Sequence, residues 1–217
     1  MGKQRIDIDN WKRKKKFEFF IEMLSPIYSF TVRLNLDNCY SVAKSHNRSP
    51  FIYYVYAIIK AANEIEELRL RVNREDGEMK VYLFDDVDLV TPIAVDDNGE
   101  FAEVRIKYSP DFEEFYYRAE QVIASASADM NPIVEYDPDA TYTVVSALPF
   151  LDFTSMSPTI MDRGGVDQVP LITVGKMSSI DGHRSMPVAL AVHHGFVDGY
   201  HIGQFFEIVQ RTLDSYI

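Results

Sequence analysis

Two adjacent imidazoles, His193 and His194, stand near the C-terminus in the run His193-His194-Gly195-Phe196-Val197-Asp198-Gly199. A neutral imidazole is the usual general base near pH 7, so the pair could abstract a proton from a hydroxyl. The elements that must position it are legible on both sides. The apolar run Met186-Pro187-Val188-Ala189-Leu190-Ala191-Val192 predicts a strand leading in. Ile202, Phe205, Phe206, Val209, Leu213 and Tyr216 fall at helical spacing and predict a helix leading out. Side chains alternate along a strand, so His194 shares a face with Val188, Leu190 and Val192, and His193 faces away with Ala189 and Ala191. The two rings therefore have different jobs. Gly195 leaves room above the ring for a close approach by another group. Taken alone, such a pair is more often only a polar rim, and Asp198 could simply cap the helix that begins at Gly199.

Composition narrows the classes. A chain of 217 residues with 47% hydrophobic and 25% charged residues has the make-up of a globular protein with a sizeable core. Its length suggests one large domain or two small ones. A net charge of −11 argues against nonspecific nucleic-acid binding. The lone Cys39 excludes an internal disulfide framework and a cysteine-based zinc site, and no metal site is expected. The N-terminal Met1-Gly2-Lys3-Gln4-Arg5-Ile6 lacks the apolar core of a signal peptide, and Ile6 fails the myristoylation pattern. No apolar run approaches membrane-spanning length, so no membrane partner is expected and a cytoplasmic enzyme or binding protein is the default.

The rest of the chain supplies a mixed set of elements. Lys12-Arg13-Lys14-Lys15-Lys16 is the one basic run, and its aromatic flanks make it a solvated helix face. Residues 28–36 alternate apolar and polar, a strand with one polar face. Ser49-Pro50 looks like an N-cap and first helical residue for a long helix over 51–70, buried early and solvated late. Residues 74–78 form a turn, 80–84 and 87–95 short strands, and Asp96-Asp97-Asn98-Gly99 a hairpin into a strand over 101–108. A helix follows Ser109-Pro110, from 111 to about Ser127, in which Tyr116 and Tyr117 pack. A strand over 142–148, a loop through Gly164-Gly165, a strand over 169–177 and a turn over 179–184 precede the last strand and helix. About seven strands and four helices in mixed order predict an α/β two-layer sandwich on a mixed, largely antiparallel sheet. Phosphate-binding loops, zinc spacings and a nucleophile elbow are absent from the sequence.

With these residues set out, the chain resembles the chloramphenicol acetyltransferases. Its His-His-Gly-Phe-Val-Asp-Gly-Tyr-His is similar to their His-His-x-x-x-Asp-Gly-Phe-His signature. Asn10-Trp11-Lys12-Arg13 with Phe17-Glu18, then Glu67-Leu68-Arg69, Phe84-Asp85-Asp86-Val87, Glu100-Phe101, Ser146-Ala147-Leu148-Pro149 and Ile172-Thr173-Val174-Gly175-Lys176 match in order and spacing. The resemblance implies a single domain over residues 1–217 with a chloramphenicol acetyltransferase-like fold, and His194 as general base in a direct attack of a hydroxylated acceptor on acetyl-CoA, a co-substrate rather than a bound cofactor. It implies Ser146 as oxyanion donor, Thr173 as holder of a nearby water, and Arg13 with Asp198 as a structural ion pair. His193 and His201 are given hydrogen-bonding roles. Phe19, Phe20, Leu24, Tyr28 and Phe101 match the acceptor pocket and Lys176 the coenzyme A site. A homotrimer is implied, with the acceptor side lined by one subunit and His194 supplied by its neighbour.

The sequence departs from the pattern at Val144, at Met177 and over 94–99, which bears on acceptor identity and coenzyme affinity. Two other readings stand beside an antibiotic-resistance enzyme. One is a catalytically silent homologue that binds small molecules or acts as a scaffold. The other is an acyltransferase of the dihydrolipoamide type, which shares a related His-x-x-x-Asp-Gly motif.

Overall fold

The computed structural model describes residues 2–126, 137, 139–159 and 169–217. The helix end expected near Ser127 and the loop through Gly164-Gly165 lie outside them.

In chain order the strands are β1 (Lys3–Arg5), β2 (Ile27–Asn35), β3 (Leu70–Glu75), β4 (Glu78–Phe84), β5 (Asp88–Ala94), β6 (Phe101–Ile106), β7 (Tyr142–Ala147), β8 (Leu171–Val174), β9 (Ser178–Ile180) and β10 (His183–His193). The helices are α1 (Lys14–Ile21), α2 (Asp37–Ser45), α3 (Pro50–Glu64), α4 (Phe112–Ser125) and α5 (Gly199–Ser215), with 3₁₀ turns at Ile8–Asn10 and Glu66–Leu68. The main sheet runs β2-β10-β8-β7-β5-β6, with β9 paired to β10. Pairs β7–β8 and β5–β7 are parallel and the others antiparallel, the mixed sheet that the element order predicts. A second sheet, β1-β4-β3, is fully antiparallel.

The core lies between the main sheet and its helices. Helix α3 buries Ile52, Val55, Ile58 and Ile59 completely or nearly so, and it packs on α2, α4 and α5. Each such side chain stabilises the fold by roughly 1.5–3 kcal/mol. From the sheet, Val188, Leu190 and Val192 of β10 meet them, with Val145 of β7 and Ile172 of β8. Arg71 of β3 is also fully buried, and burial presses its pKa down to about 10. Its guanidinium donates to the carbonyls of Leu68, Leu70, Ala140 and Tyr142 at 2.8–2.9 Å, which satisfies it by backbone dipoles alone.

Several boundaries differ from expectation. Helix α3 stops at Glu64 rather than Leu70, because Ile65 and Leu68 belong to a 3₁₀ turn whose three-residue period mimics helical spacing. Ser49 makes no side-chain cap; its N–H donates instead to the Tyr116 hydroxyl at 3.0 Å. Helix α2 and strands β1, β3 and β9 join the expected elements. The turn at Asp76-Gly77 closes β3 onto β4, with φ of 55° and 82°. The same conformation at Asp181-Gly182 closes β9 onto β10, so residues 178–180 are strand and not turn. Both positive angles suit the Asp-Gly pair of a two-residue hairpin. Strand β8 is shorter than the expected 169–177, and Tyr117, expected to pack, is 64% exposed while Tyr116 is buried. Among the described residues no helix is long and apolar enough to cross a membrane.

Candidate active site

Strand β10 delivers the histidines as the sequence pattern requires. It ends at His193, opposite Ile27 of β2, and the His194 N–H donates to the Pro26 carbonyl at 2.9 Å. A tight turn follows, in which the N–H groups of Phe196 and Val197 donate back to the His193 carbonyl. The turn folds Val197 under the imidazole of His194, and Nδ1 lies 3.1 Å from the Val197 carbonyl. A carbonyl oxygen only accepts, so the proton resides on Nδ1 and the lone pair on Nε2. The ring is held flat between two aromatics. Phe20 of α1 stacks on one face at 4.0 Å and 16°, and Tyr28 of β2 on the other at 4.2 Å and 22°. The Tyr28 hydroxyl donates to the same Val197 carbonyl at 3.1 Å. Burial pushes Tyr28 up to about 12, so the phenol stays protonated as that donor.

Arg13 clamps the turn from outside. Its two terminal nitrogens meet the two Asp198 oxygens at 2.7 and 3.1 Å, a bidentate pair. Its Nε donates to the Gly195 carbonyl at 3.1 Å and Nη2 to the His194 carbonyl at 3.3 Å. Lys16 adds a second cation on Asp198 at 2.8 Å. Hydrogen bonding from Arg13 first, and then Lys16, holds the Asp198 carboxyl far below the usual range. Asp198 Oδ1 is 3.7 Å from His194 Nδ1, farther than the Val197 carbonyl, so the carboxylate fixes the turn and does not itself hold the ring. Asp198 also occupies the N-cap position of α5, where its N–H donates to His201 Nδ1 at 3.0 Å. The part taken by Lys16 was not read from the sequence, although its three-residue spacing from Arg13 puts both on one helix face.

His193 is unlike its neighbour. It is 1% exposed, packs on Phe196, and accepts the Gly195 N–H on Nδ1 at 2.9 Å. The space above Gly195 is therefore filled by this ring: a Cβ there would meet its Cε1 at 2.8 Å. Burial, then the adjacent His194, lowers His193 to about 4 from 6.5. The unfolded chain takes a proton near pH 6.5 that the fold refuses until about pH 4, so this residue withdraws stability as pH falls through that window. The loss is roughly 3 kcal/mol at its limit. Urea unfolding at pH 7 and pH 4.5 should show wild type losing about 2–3 kcal/mol more than His193→Gln. Equal losses would mean that the folded ring takes its proton as readily as the unfolded one.

Ser146 and Thr173 lie elsewhere on the sheet. They are register partners on β7 and β8, and Thr173 in turn pairs with Ala189 of β10. Ser146 is half-buried and Thr173 nearly buried, its Oγ1 3.8 Å from the Met156 sulfur. His194 is five residues beyond Ala189, roughly 16 Å along the strand, and Ser146 is about 10 Å across from it. One chain therefore does not bring His194 to the hydroxyls of Ser146 and Thr173. The aromatic residues divide in the same way. Phe20 and Tyr28 stack on His194 of their own chain, not opposite it, because α1 and β2 border the β10 terminus. Phe19 meets Phe20 edge-on at 5.1 Å and is 62% exposed, and Leu24 is fully exposed. Phe101 opens β6 on the far edge of the sheet from β2. The Lys176 side chain is exposed, and its N–H donates to the Leu151 carbonyl at 2.7 Å. A cleft of about 770 Å³ opens beyond Ser146, walled by Ala147, Pro149 and Phe150 and by Phe51, Ile52 and Ile123. Among the described residues no cluster of His, Cys, Asp or Glu could hold a metal.

The family model for chloramphenicol acetyltransferase matches residues 1–210. The chain belongs to the chloramphenicol acetyltransferase family. It is accordingly an acyltransferase, as the resemblance implies. A chloramphenicol acetyltransferase of Clostridium perfringens is 26% identical over 211 residues, covering 97% of this chain and 94% of that one. Chloramphenicol acetyltransferase 3 of Escherichia coli is 25% identical over 99% of both chains. A solved chloramphenicol acetyltransferase superposes with a TM-score of 0.91 at 37% identity, covering 98% of this chain and all of that one. A probable dihydrolipoamide acetyltransferase from Listeria monocytogenes shares the fold, with a TM-score of 0.61 at 13% identity over 95% of this chain and 93% of that one.

Proposed function

We propose that the chain is an acetyl-CoA-dependent chloramphenicol 3-O-acetyltransferase, an antibiotic-resistance enzyme of the cytoplasm. The observation that carries this reading is the His194 ring, with Nδ1 committed to the Val197 carbonyl and Nε2 left basic. Nε2 takes the proton of the acceptor hydroxyl, and the oxygen attacks the thioester carbonyl. The tetrahedral oxyanion accepts a hydrogen bond from the Ser146 hydroxyl, and Thr173 holds a water beside it. Collapse breaks the carbon–sulfur bond, and the departing thiolate recovers the proton from Nε2. No acyl-enzyme forms. Retention of the whole Arg13–Asp198–His194 arrangement weighs against a silent homologue.

The site is completed between subunits of a homotrimer, where His194 of one meets Ser146 and Thr173 of the next. The separation of these groups within one chain supports this, as do the exposed Phe30 and Val32 on edge strand β2. Acetyl-CoA reaches Ser146 through the cleft at the end of β7, whose apolar walls suit an uncharged thioester arm, with Lys176 outside for a phosphate. Phe19, Phe20, Leu24, Tyr28 and Phe101 offer the acceptor aromatic and apolar surface, suited to a nitrophenyl ring and a dichloroacetyl group. Val144 in place of a polar residue costs at most one hydrogen bond, about 0.5–1.5 kcal/mol.

Thiol release from acetyl-CoA tests this with three acceptors. Chloramphenicol should turn over, and its 3-deoxy analogue and an aminoglycoside should not. Equal turnover of the deoxy compound would refute the hydroxyl assignment. An inert chloramphenicol beside an active dihydrolipoamide would move the chain to the other acceptor class.

A further inference from the structure

We propose that Glu67 is a positioning residue for the general base, acting through the tautomer of His201. The proposal rests on the reading of His194 as that base.

His201 is the third residue of α5, the place from which a side chain reaches back to the N-cap N–H. It does so with Nδ1, which accepts from Asp198. Nδ1 must then carry no proton, and Nε2 must carry it. Glu67 favours that choice. It sits in the 3₁₀ turn after α3, and its Oε1 stands 3.4 Å from His201 Nε2. Both side chains are largely withdrawn from water, at 14% for His201 and 28% for Glu67. The Tyr200 ring is edge-on to the imidazole at 5.7 Å.

Moving the proton to Nδ1 would set two N–H groups against each other across a 3.0 Å gap, and the N-cap would have to part from the first turn of α5. Asp198 cannot shift alone. Its carboxylate is bound to Arg13, and Arg13 grips the carbonyls of His194 and Gly195. A displaced Asp198 therefore tilts the turn that aims His194. Glu67 thus governs the base from outside the site.

The requirement for Glu67 exists because imidazole has two neutral tautomers. A glutamine at position 201 would accept the Asp198 N–H with an amide oxygen and have no tautomer to fix. The experiment is a four-protein cycle of wild type, Glu67→Ala, His201→Gln and the double variant, with Glu67→Gln as the conservative control. Glu67→Ala should lower kcat roughly tenfold, the low end of the loss seen when a metal-bound histidine is deprived of its outer hydrogen-bond partner, with both KM values nearly unchanged. Glu67→Gln, which keeps an acceptor oxygen, should restore most of the rate. In the His201→Gln background, Glu67→Ala should change kcat by less than about twofold.

Long-range ¹H–¹⁵N spectra of the imidazoles supply a readout independent of turnover. His201 should show an unprotonated Nδ1 in wild type and mixed tautomers in Glu67→Ala. An equal loss of kcat in both backgrounds, a loss confined to KM, or an unchanged His201 tautomer would overturn the proposal. Should His194→Ala keep its activity, the base assignment fails, and the spectra still judge the Glu67–His201 link by themselves.

Discussion

His194→Ala should lose more turnover than the roughly 10²–10⁴-fold typical of removing a general base. Two losses combine. The acceptor hydroxyl attacks poorly without a group to take its proton, and the slot between Phe20 and Tyr28 loses the ring that fills it. The variant should still fold, because His194 is half-buried and the clamp on the turn uses main-chain carbonyls. Acetyl-CoA should still bind. Thiol release under saturating substrates measures the loss, and calorimetry checks the binding. Near-normal turnover would remove His194 from the mechanism.

Ser146→Ala should lower kcat by about 10²–10³ and leave both KM values nearly unchanged, because the hydrogen bond forms with the oxyanion and not with the ground-state thioester. A change in KM alone would make Ser146 a binding residue. The two variants also test where the site lies. Mixed trimers of His194→Ala and Ser146→Ala chains should regain activity, with about a quarter of the interfaces carrying both wild-type groups in a random one-to-one assembly. Each pure variant would stay inactive. Failure of the mixture to recover, with mixed trimers demonstrated, would place base and serine in one subunit.

The architecture was readable where local chemistry is decisive. The alternation of β2, the Asp-Gly turns and the Pro50 start of α3 are all local signals. Helix α2 left too faint a signal, because only Cys39 and Ala43 are buried from it. The end of α3 was obscured because Ile65 and Leu68 keep an apolar spacing through the 3₁₀ turn. Around His194, the two histidines could be told apart by strand alternation, and the Arg13–Asp198 pair, which the structure shows, was expected from resemblance, as were the roles proposed for Ser146 and Thr173. The aromatic sandwich was not legible. Phe20 and Tyr28 are separated from His194 by most of the sequence, and only the pairing of β2 with β10 and the seating of α1 bring the three rings together. The Glu67–His201 contact was hidden for the same reason.

That separation has a consequence for how the molecule acquires its activity. The Phe20 and Tyr28 rings and the Arg13 clamp come from residues 13–28, while the imidazole they hold and the Val197 carbonyl beneath it lie at and just after the end of β10. A growing chain that has not yet reached β10 has Phe20, Tyr28 and Arg13 waiting with nothing to grip. The His194 ring is clamped only when residues 13–28 meet the end of β10, so its ordering reports a contact that spans most of the sequence. A chain cut short before β10 carries every aromatic of the sandwich and none of the chemistry.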